Sequence, residues 1–320
     1  MNSVKNSLVS VCLATYNGEK YIQEQLDSIL SQTYPNIEII IQDDASTDQT
    51  YTILQTYKNS NIKLFKNKNN LGYQKNFESL LQKANGNFIA LCDQDDIWQE
   101  NKIELLLNNI GESSLIYSDS LLVDENNNSL EKKLSQQLKN NFITSHSALE
   151  FVYDNSVSAH AMLFKKELLQ YITFFPQHIY FDQYIAATAA SLHGINYYDM
   201  PLVRYRQHST NTLAKKKHKK VSLLKQISHK LSKKLKQNRE ICNELQEFLT
   251  IATLCANEKK LLNKLYNIHT DFPNTFFNIK TFIFFFQHKH QLFKITTRDK
   301  NILCIKKSIG YKLYKAFPIL

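Results

Sequence analysis

Three carboxylates crowd four positions at the end of one apolar run: Asp93-Gln94-Asp95-Asp96 follows Asn87-Phe88-Ile89-Ala90-Leu91-Cys92. Nothing adjacent in sequence neutralises them, since the next charge is Glu100. Like charges this close repel, so the pattern is either a cation site or a solvated acidic turn. Along an extended chain Asp93 and Asp95 project to the same side, where both can face one ion. Hard oxygen ligands suit Mg²⁺ or Mn²⁺, and Mg²⁺ commonly takes one or two carboxylates plus substrate phosphate oxygens.

The elements that must hold these groups alternate along the first 120 residues. Apolar, β-branched runs at Leu8–Ala14, Ile37–Ile41, Ile62–Phe65, Phe88–Cys92 and Leu115–Ser118 predict strands. Between them, helical spacing predicts helices over Glu19–Leu30, Asn76–Ala84 and Lys102–Ile110. Ser46-Thr47-Asp48-Gln49 reads as a capping box opening a helix to Tyr57. This order predicts an α/β fold with a mostly parallel sheet, whose ligands bind beyond the carboxyl ends of the strands. Three polar loops fall there: Thr15-Tyr16-Asn17-Gly18, Asp43-Asp44-Ala45-Ser46 and the acidic cluster. Residues 121–140 read as a loop, with helices near Ala148–Tyr153, Lys166–Tyr171 and Phe181–Leu192, then a hairpin-like stretch over Ile195–Arg206.

Charge divides the chain of 320 residues. Residues 1–214 hold 16 Lys and Arg against 23 Asp and Glu, a net of −7; residues 215–320 hold 23 against 6, a net of +17. The break falls at Lys215-Lys216-Lys217-His218-Lys219-Lys220, and a Lys-rich helical pattern with Leu223, Leu224, Ile227 and Leu231 on one stripe follows. With the aromatic run Phe282–Phe286, this basic region predicts either association with an anionic membrane surface or packing on the N-terminal part or on a second copy of the chain. The basic residues lack the aromatic interleaving of a stacking platform, so no nucleic-acid partner is expected. Five scattered cysteines without metal-type spacing fit a reducing compartment. No run approaches the ~18 apolar residues of a spanning helix, and no signal-peptide pattern opens the chain. The expected location is the cytoplasm, or the cytoplasmic face of the membrane.

Five segments in order resemble glycosyltransferase family 2, the nucleotide-sugar-dependent transferases of the GT-A fold. They are Ser10–Gly18, Ser28–Tyr34, Ile41–Asp48, Asn70-Leu71-Gly72 and Cys92–Trp98. The resemblance runs from Val9 to Asn211 and leaves the basic third uncovered, which divides the chain into a catalytic domain over 1–214 and a basic helical region over 215–320. The form Asp-Gln-Asp-Asp-Ile-Trp, with Phe181-Asp182-Gln183-Tyr184 and Tyr205-Arg206-Gln207-His208, is most similar to the rhamnosyltransferase-like branch.

The resemblance implies an inverting transfer from a UDP- or dTDP-sugar, dTDP-rhamnose among them, to a surface polysaccharide or lipid-linked glycan. It places Thr15, Tyr16, Asn17, Asp43, Asp44, Gly72, Lys75, Asp93 and Arg206 around the donor. Within that set Tyr16 stacks on the base, Asp44 accepts from the pyrimidine N–H, and Asp43 orients the loop or touches ribose. Gly72 permits a tight turn, and Lys75 reaches a phosphate or remains an exposed helix lysine. Arg204 and Arg206 lie on one side of the chain, where either can pair with phosphate oxygens. Asp95, with Asp93 or Asp96, anchors Mn²⁺ or Mg²⁺, and His208 resembles a third ligand; imidazole favours Mn²⁺. Asp182 matches the general base. A helix start lowers a carboxylate pKa, so burial must offset it if Asp182 is to work near neutral pH. Trp98 and His160 fall on the acceptor side, His160 within Ser158–Met162, where Ala159 adds a methyl group at a position that is often glycine. The residues alone leave two other readings, a D-x-D phosphatase and a non-catalytic nucleotide-sugar-binding module.

Overall fold

The computed structural model describes residues 6–172, 174–208, 223–275 and 277–310, with residues 223–231 described by their backbone. The basic run at 215–220, the domain boundary expected at 214 and the side chains of the stripe at 223–231 lie outside what is described.

Among the described residues nine strands form one sheet. β1 (Val9–Thr15), β2 (Ile37–Asp43), β3 (Ile62–Lys66) and β4 (Phe88–Cys92) run parallel in the order β3-β2-β1-β4. β8 (Met162–Lys165) then pairs antiparallel with β4 and with β6 (Leu115–Val123). β9 (Ile195–Arg206) lies parallel to β6 and carries the two-residue β5 (Ile97–Trp98) on its far edge, while β7 (Ser129–Lys133) pairs with β6.

The inner strands are apolar at nearly every position because helices cover both faces. Val9, Val11 and Leu13 of β1 pack with Phe88, Ala90 and Cys92 of β4 on one face. There they meet α1 (Ile22–Leu30) through Ile22, Leu26 and Ile29, and α4 (Lys102–Asn109) through Ile103, Leu106 and Leu107. Cys12, Ile40, Ile89 and Leu91 point to the opposite face, as the period of two requires. That face takes α3 (Tyr73–Leu81), α6 (Phe181–Leu192) and the C-terminal helices α7 (Leu223–Leu249), α8 (Ala256–Asp271), α9 (Ile279–Leu292) and α10 (Lys300–Ser308). Leu245, Phe248, Leu262, Phe284, Phe285, Phe293 and Cys304 belong to the same continuous core as the sheet residues. The described helices of the basic region therefore pack into the core of the N-terminal part, against the turn at Ala148–Phe151 and α6.

Several elements depart from the sequence reading. Ile195–Arg206 is one long strand, not a hairpin: its pairing with β6 skips from Tyr198 to Pro201, so Asp199-Met200 forms a bulge where a turn was expected. Residues 121–140 are not a loop, because β6 continues to Val123, Asp124 caps a tight turn, and β7 and α5 (Leu134–Leu138) follow. Ala148–Phe151 and Lys166–Tyr171 are 3₁₀ turns. The Ser46 capping box is absent: α2 (Thr50–Thr56) starts later, with Asp48 accepting from the Thr50 N–H, and Ser46 turns back to Asp43.

Candidate active site

β2, β1 and β4 are neighbours, so the three polar loops at their carboxyl ends meet. Gln94 joins two of them: its Oε1 accepts from the Tyr16 N–H at 2.7 Å and its Nε2 donates to the Tyr16 carbonyl at 3.0 Å. Asn17 adopts φ 48° and its Oδ1 accepts from the Thr47 N–H at 2.9 Å, tying the first loop to the second. A Cβ on Gly18 would come within 2.3 Å of the Gln94 side chain, whose amide would have to leave Tyr16 to make room. Beside this junction lies a cleft of about 290 Å³, lined by Asn17, Gly18, Tyr21, Gln94, Asp95 and His208 among others.

The nucleotide-side candidates fall into two groups. Tyr16 keeps an exposed ring on a clamped backbone. Thr15 and Asp43 are buried: Asp43 accepts from Thr15 Oγ1 at 3.2 Å and from the Ser46 N–H at 3.0 Å, so it orients the loop. Asp44 is buried as well and closes on the third loop, taking the Leu71 and Gly72 N–H groups at 2.9 Å each and Asn67 Nδ2 at 2.7 Å. Gly72 holds φ 83° at the start of α3, a conformation that side chains resist. Lys75 is exposed and pairs with Glu78 at 2.6 Å on its own helix.

Asp95 and His208, 113 positions apart, meet at 2.8 Å between Oδ2 and Nε2. Asp93, Asp96 and His160 form a second group, with ligand atoms all within 4.8 Å of one another. Asp96 is fully buried; its Oδ1 accepts from the Arg206 N–H at 3.1 Å, while its Oδ2 has no hydrogen-bond partner among the described residues. Burial together with Asp95 and Asp93 drives the Asp96 carboxyl well above its ordinary range. Burial, Asp95 and Asp182 push Asp93 up to about 7, although its side chain keeps 40% of its surface open, which tempers the burial contribution. His160 is held neutral because burial, then Lys102, pull its imidazole down to about 3. Carboxylates that cannot all ionise, a neutral imidazole and an orphaned carboxylate oxygen are a donor set that a hard divalent cation would complete. The residues fit such an ion.

Asp182 lies in the first turn of α6, half-buried. Its carboxylate accepts from the Gln183 N–H at 2.7 Å, from Asn155 Nδ2 at 3.3 Å and from the Ala159 backbone N–H. Those donors favour the charged form, yet burial outweighs them and raises the group to about 6. Desolvation thus supplies the offset that a base at a helix start requires.

Three candidates are placed otherwise than the sequence implied. Arg206 is 1% exposed, with Nε on the Asp95 carbonyl at 2.9 Å, Nη1 on the Glu125 carbonyl at 2.9 Å and Nη2 on Glu24. Its guanidinium braces the acidic loop from behind, because β9 turns residue 206 inward over the Tyr21 ring. Trp98 is 3% exposed among Ile103, Leu106 and Val203, which makes it core and not an acceptor surface. His160 is buried against the carboxylates, hydrogen-bonded to Ser120 Oγ at 2.9 Å and stacked on Tyr205, so it too is withdrawn from the acceptor side.

Lys102 was not singled out from the sequence. It is fully buried, donates to the His160 carbonyl at 2.6 Å and sits 3.3 Å over the Trp98 ring. Burial pulls its ammonium down to about 7 against the raising pull of Cys92, Asp96 and Asp93. Its signal was its phase: residues 102, 103, 106 and 107 share the buried face of α4. Lys102→Met keeps the packed stem and orphans the His160 carbonyl, so it should cost about 1–3 kcal/mol. The urea midpoint, at unchanged slope, measures the loss.

Comparison with known proteins decides the family. The profile described as Glycosyl transferase family 2 matches residues 10–173, more than half of the chain. The chain belongs to glycosyl transferase family 2. Among its relatives, the Escherichia coli UDP-Glc:alpha-D-GlcNAc-diphosphoundecaprenol beta-1,3-glucosyltransferase WfgD is 38% identical over 131 residues, which cover 39% of this chain and 50% of WfgD. An uncharacterized Haemophilus influenzae glycosyltransferase is 25% identical over 317 residues, covering 94% of this chain and 96% of its own. S. aureus TarS 1-349 in complex with UDP-GlcNAc superposes with a TM-score of 0.57 at 21% identity, over 89% of this chain and 81% of that one. The Pyrobaculum calidifontis mannosyltransferase PcManGT, solved with GDP-Man and Mn²⁺, gives 0.52 at 18% identity, over 82% and 69%. These structural likenesses show the GT-A-like fold.

Proposed function

We propose that this family 2 glycosyltransferase is inverting and divalent-metal-dependent, and moves a sugar from a UDP- or dTDP-linked donor to a lipid-linked or polysaccharide glycan acceptor. The observation that carries the reading is one corner of the sheet. There the β1 loop, Asp95 after β4 and His208 line one cleft, and Asp182 is near enough to Asp93 for its charge to raise that neighbouring carboxyl. WfgD's name carries a UDP-glucose donor, a diphosphoundecaprenol-linked acceptor and a beta linkage. It favours a UDP-linked donor over the dTDP-rhamnose that the motif form suggested.

In this reading the Tyr16 ring stacks on the base, and Asp44 exchanges a loop N–H for the pyrimidine N–H. Asp95 and His208 would hold the cation at the cleft, with Asp93, Asp96 and His160 completing the donor set behind them. A bound Mn²⁺ or Mg²⁺ supplies Lewis-acid stabilisation of the negative charge on the departing diphosphate. The Asp182 carboxylate takes the proton of the acceptor hydroxyl. That oxygen attacks the anomeric carbon from the face opposite the diphosphate, forming one C–O bond as the other breaks, so the anomeric configuration inverts. Arg206 contributes by fixing the loop that carries Asp95, through the Asp95 carbonyl.

The test is a donor panel of nucleotide sugars offered with a polyprenyl-diphosphate-linked sugar and Mn²⁺. Product is read by mass and its anomeric configuration by NMR. The reading expects one UDP- or dTDP-sugar to be transferred with inversion. Retention of configuration, or release of phosphate without transfer, overturns it.

A further inference from the structure

The outer surface of α9 and α10 is unusual for a helix pair packed on a core. Phe277, Ile279, Ile283 and Phe286 on and before α9, and Ile302 and Ile305 on α10, are each about half exposed, between 46% and 59%. Ile279, Ile283 and Phe286 are spaced four and three apart, one stripe of a helix. The opposite stripe, Thr281, Phe284, Phe285 and Leu292, is the one that faces the core.

Two links set the alignment of the pair. The Asn278 N–H donates to the Ser308 carbonyl at 3.2 Å, and Lys289 Nζ donates to Asn301 Oδ1 at 2.7 Å. The helices are thus antiparallel, with Ile283 level with Ile305 and Phe286 level with Ile302. The exposed apolar residues line up in matched rows across the two helices. Scattered exposed apolar residues need no explanation, whereas a contiguous patch marks an interaction surface.

Charge then distinguishes the partner. Residues 277–310 carry seven Lys and Arg and one acid, Asp299. That acid is occupied in capping α10, accepting from the Asn301 and Ile302 N–H groups at 2.8 and 3.0 Å. Lys280 and Lys306 are exposed beside the apolar rows. Lys289 Nζ lies 3.9 Å from the centre of the exposed Phe286 ring, a cation held against the apolar surface. Aliphatic and aromatic side chains bordered by lysines, with no acid facing out to complement a basic partner, match the interface of an anionic bilayer. A second copy would bring like charge against like charge.

We propose that the α9–α10 face docks on an anionic lipid surface, with Ile279, Ile283, Phe286, Ile302 and Ile305 entering the headgroup boundary and Lys280 and Lys306 meeting lipid phosphates. The proposal rests on the helix pair alone and stands whatever sugar the site transfers. Shallow insertion of this kind needs no spanning segment, and no described helix is long and apolar enough to cross a membrane.

The test is flotation of the full chain with vesicles of phosphatidylcholine alone and with vesicles containing phosphatidylglycerol, at low and at high salt. The wild type should float with the anionic vesicles and be released by salt. Ile283→Glu with Phe286→Glu, and separately Lys280→Ser with Lys306→Ser, should each weaken recovery by about tenfold or more. Circular dichroism confirms folding, and the lysine pair decides the matter should the glutamate pair not fold. Equal recovery on both vesicle types, no recovery on either, or variants that float like the wild type would overturn the proposal. So would sedimentation showing a wild-type dimer that the glutamate pair dissociates while flotation stays unchanged.

Discussion

Asp182→Asn should lower kcat by about 10²–10⁴-fold while leaving UDP affinity unchanged. The substitution is conservative for the fold, because the Gln183 N–H and Asn155 Nδ2 both donate to Oδ1, and an amide oxygen placed there still accepts them. What disappears is the capacity to take a proton. The pH dependence carries the same information with a definite sign. Burial raises Asp182 to about 6, so the base is protonated below that pH and ionised above it. At saturating Mn²⁺ and donor, the wild-type rate should hold on the alkaline side of about 6 and fall about tenfold per pH unit on the acid side. The residual activity of Asp182→Asn should lack that limb. A variant with wild-type kcat would remove Asp182 from the reaction.

Asp95→Asn should reduce kcat by about 10²–10³-fold and make the remaining activity insensitive to chelator. Asp95 is the one carboxylate of the cluster that both lines the cleft and touches His208. Chelation of the wild type should reproduce the variant's rate, and added Mn²⁺ should restore the wild type alone. Asp96→Asn offers the internal contrast. Asp96 is buried behind the cleft with its unpartnered oxygen among Asp93 and His160, so an amide there should weaken the Mn²⁺ response less than Asp95→Asn does while also altering stability. Urea unfolding and the Mn²⁺ dependence of rate separate the two outcomes.

The sequence exposed the three strand-end loops because each breaks an apolar run with residues that cannot sit in a core. Their convergence followed from parallel strand order, and β2-β1-β4 adjacency delivers it. Asp182 was legible with its condition attached, since the opposed effects of helix start and burial are both readable in kind. The direction an arginine faces was not legible. Arg204 and Arg206 share one side of β9, but a period of two does not say whether that side meets a ligand or an inner loop. Arg206 meets Glu24 and the Asp95 carbonyl. Trp98 failed for the same reason, because only the placement of β5 beside β9 reveals that its indole is enclosed. Ile195–Arg206 was read as hairpin-like because residues that turn a chain also make bulges, and only the partner strand distinguishes the two. Lys102 went unremarked because a lysine in phase with leucines ordinarily reaches out to water. Here the carboxylates and the His160 carbonyl give it a reason to stay inside.

Isothermal titration of UDP into the full chain, with Mn²⁺ and then with excess chelator, probes the carboxylate corner most directly. Binding should weaken at least about tenfold on chelation, and to the same level in Asp95→Asn and His208→Ala whether or not Mn²⁺ is present. UDP affinity that is identical with and without the metal, and unmoved by either substitution, would contradict the account.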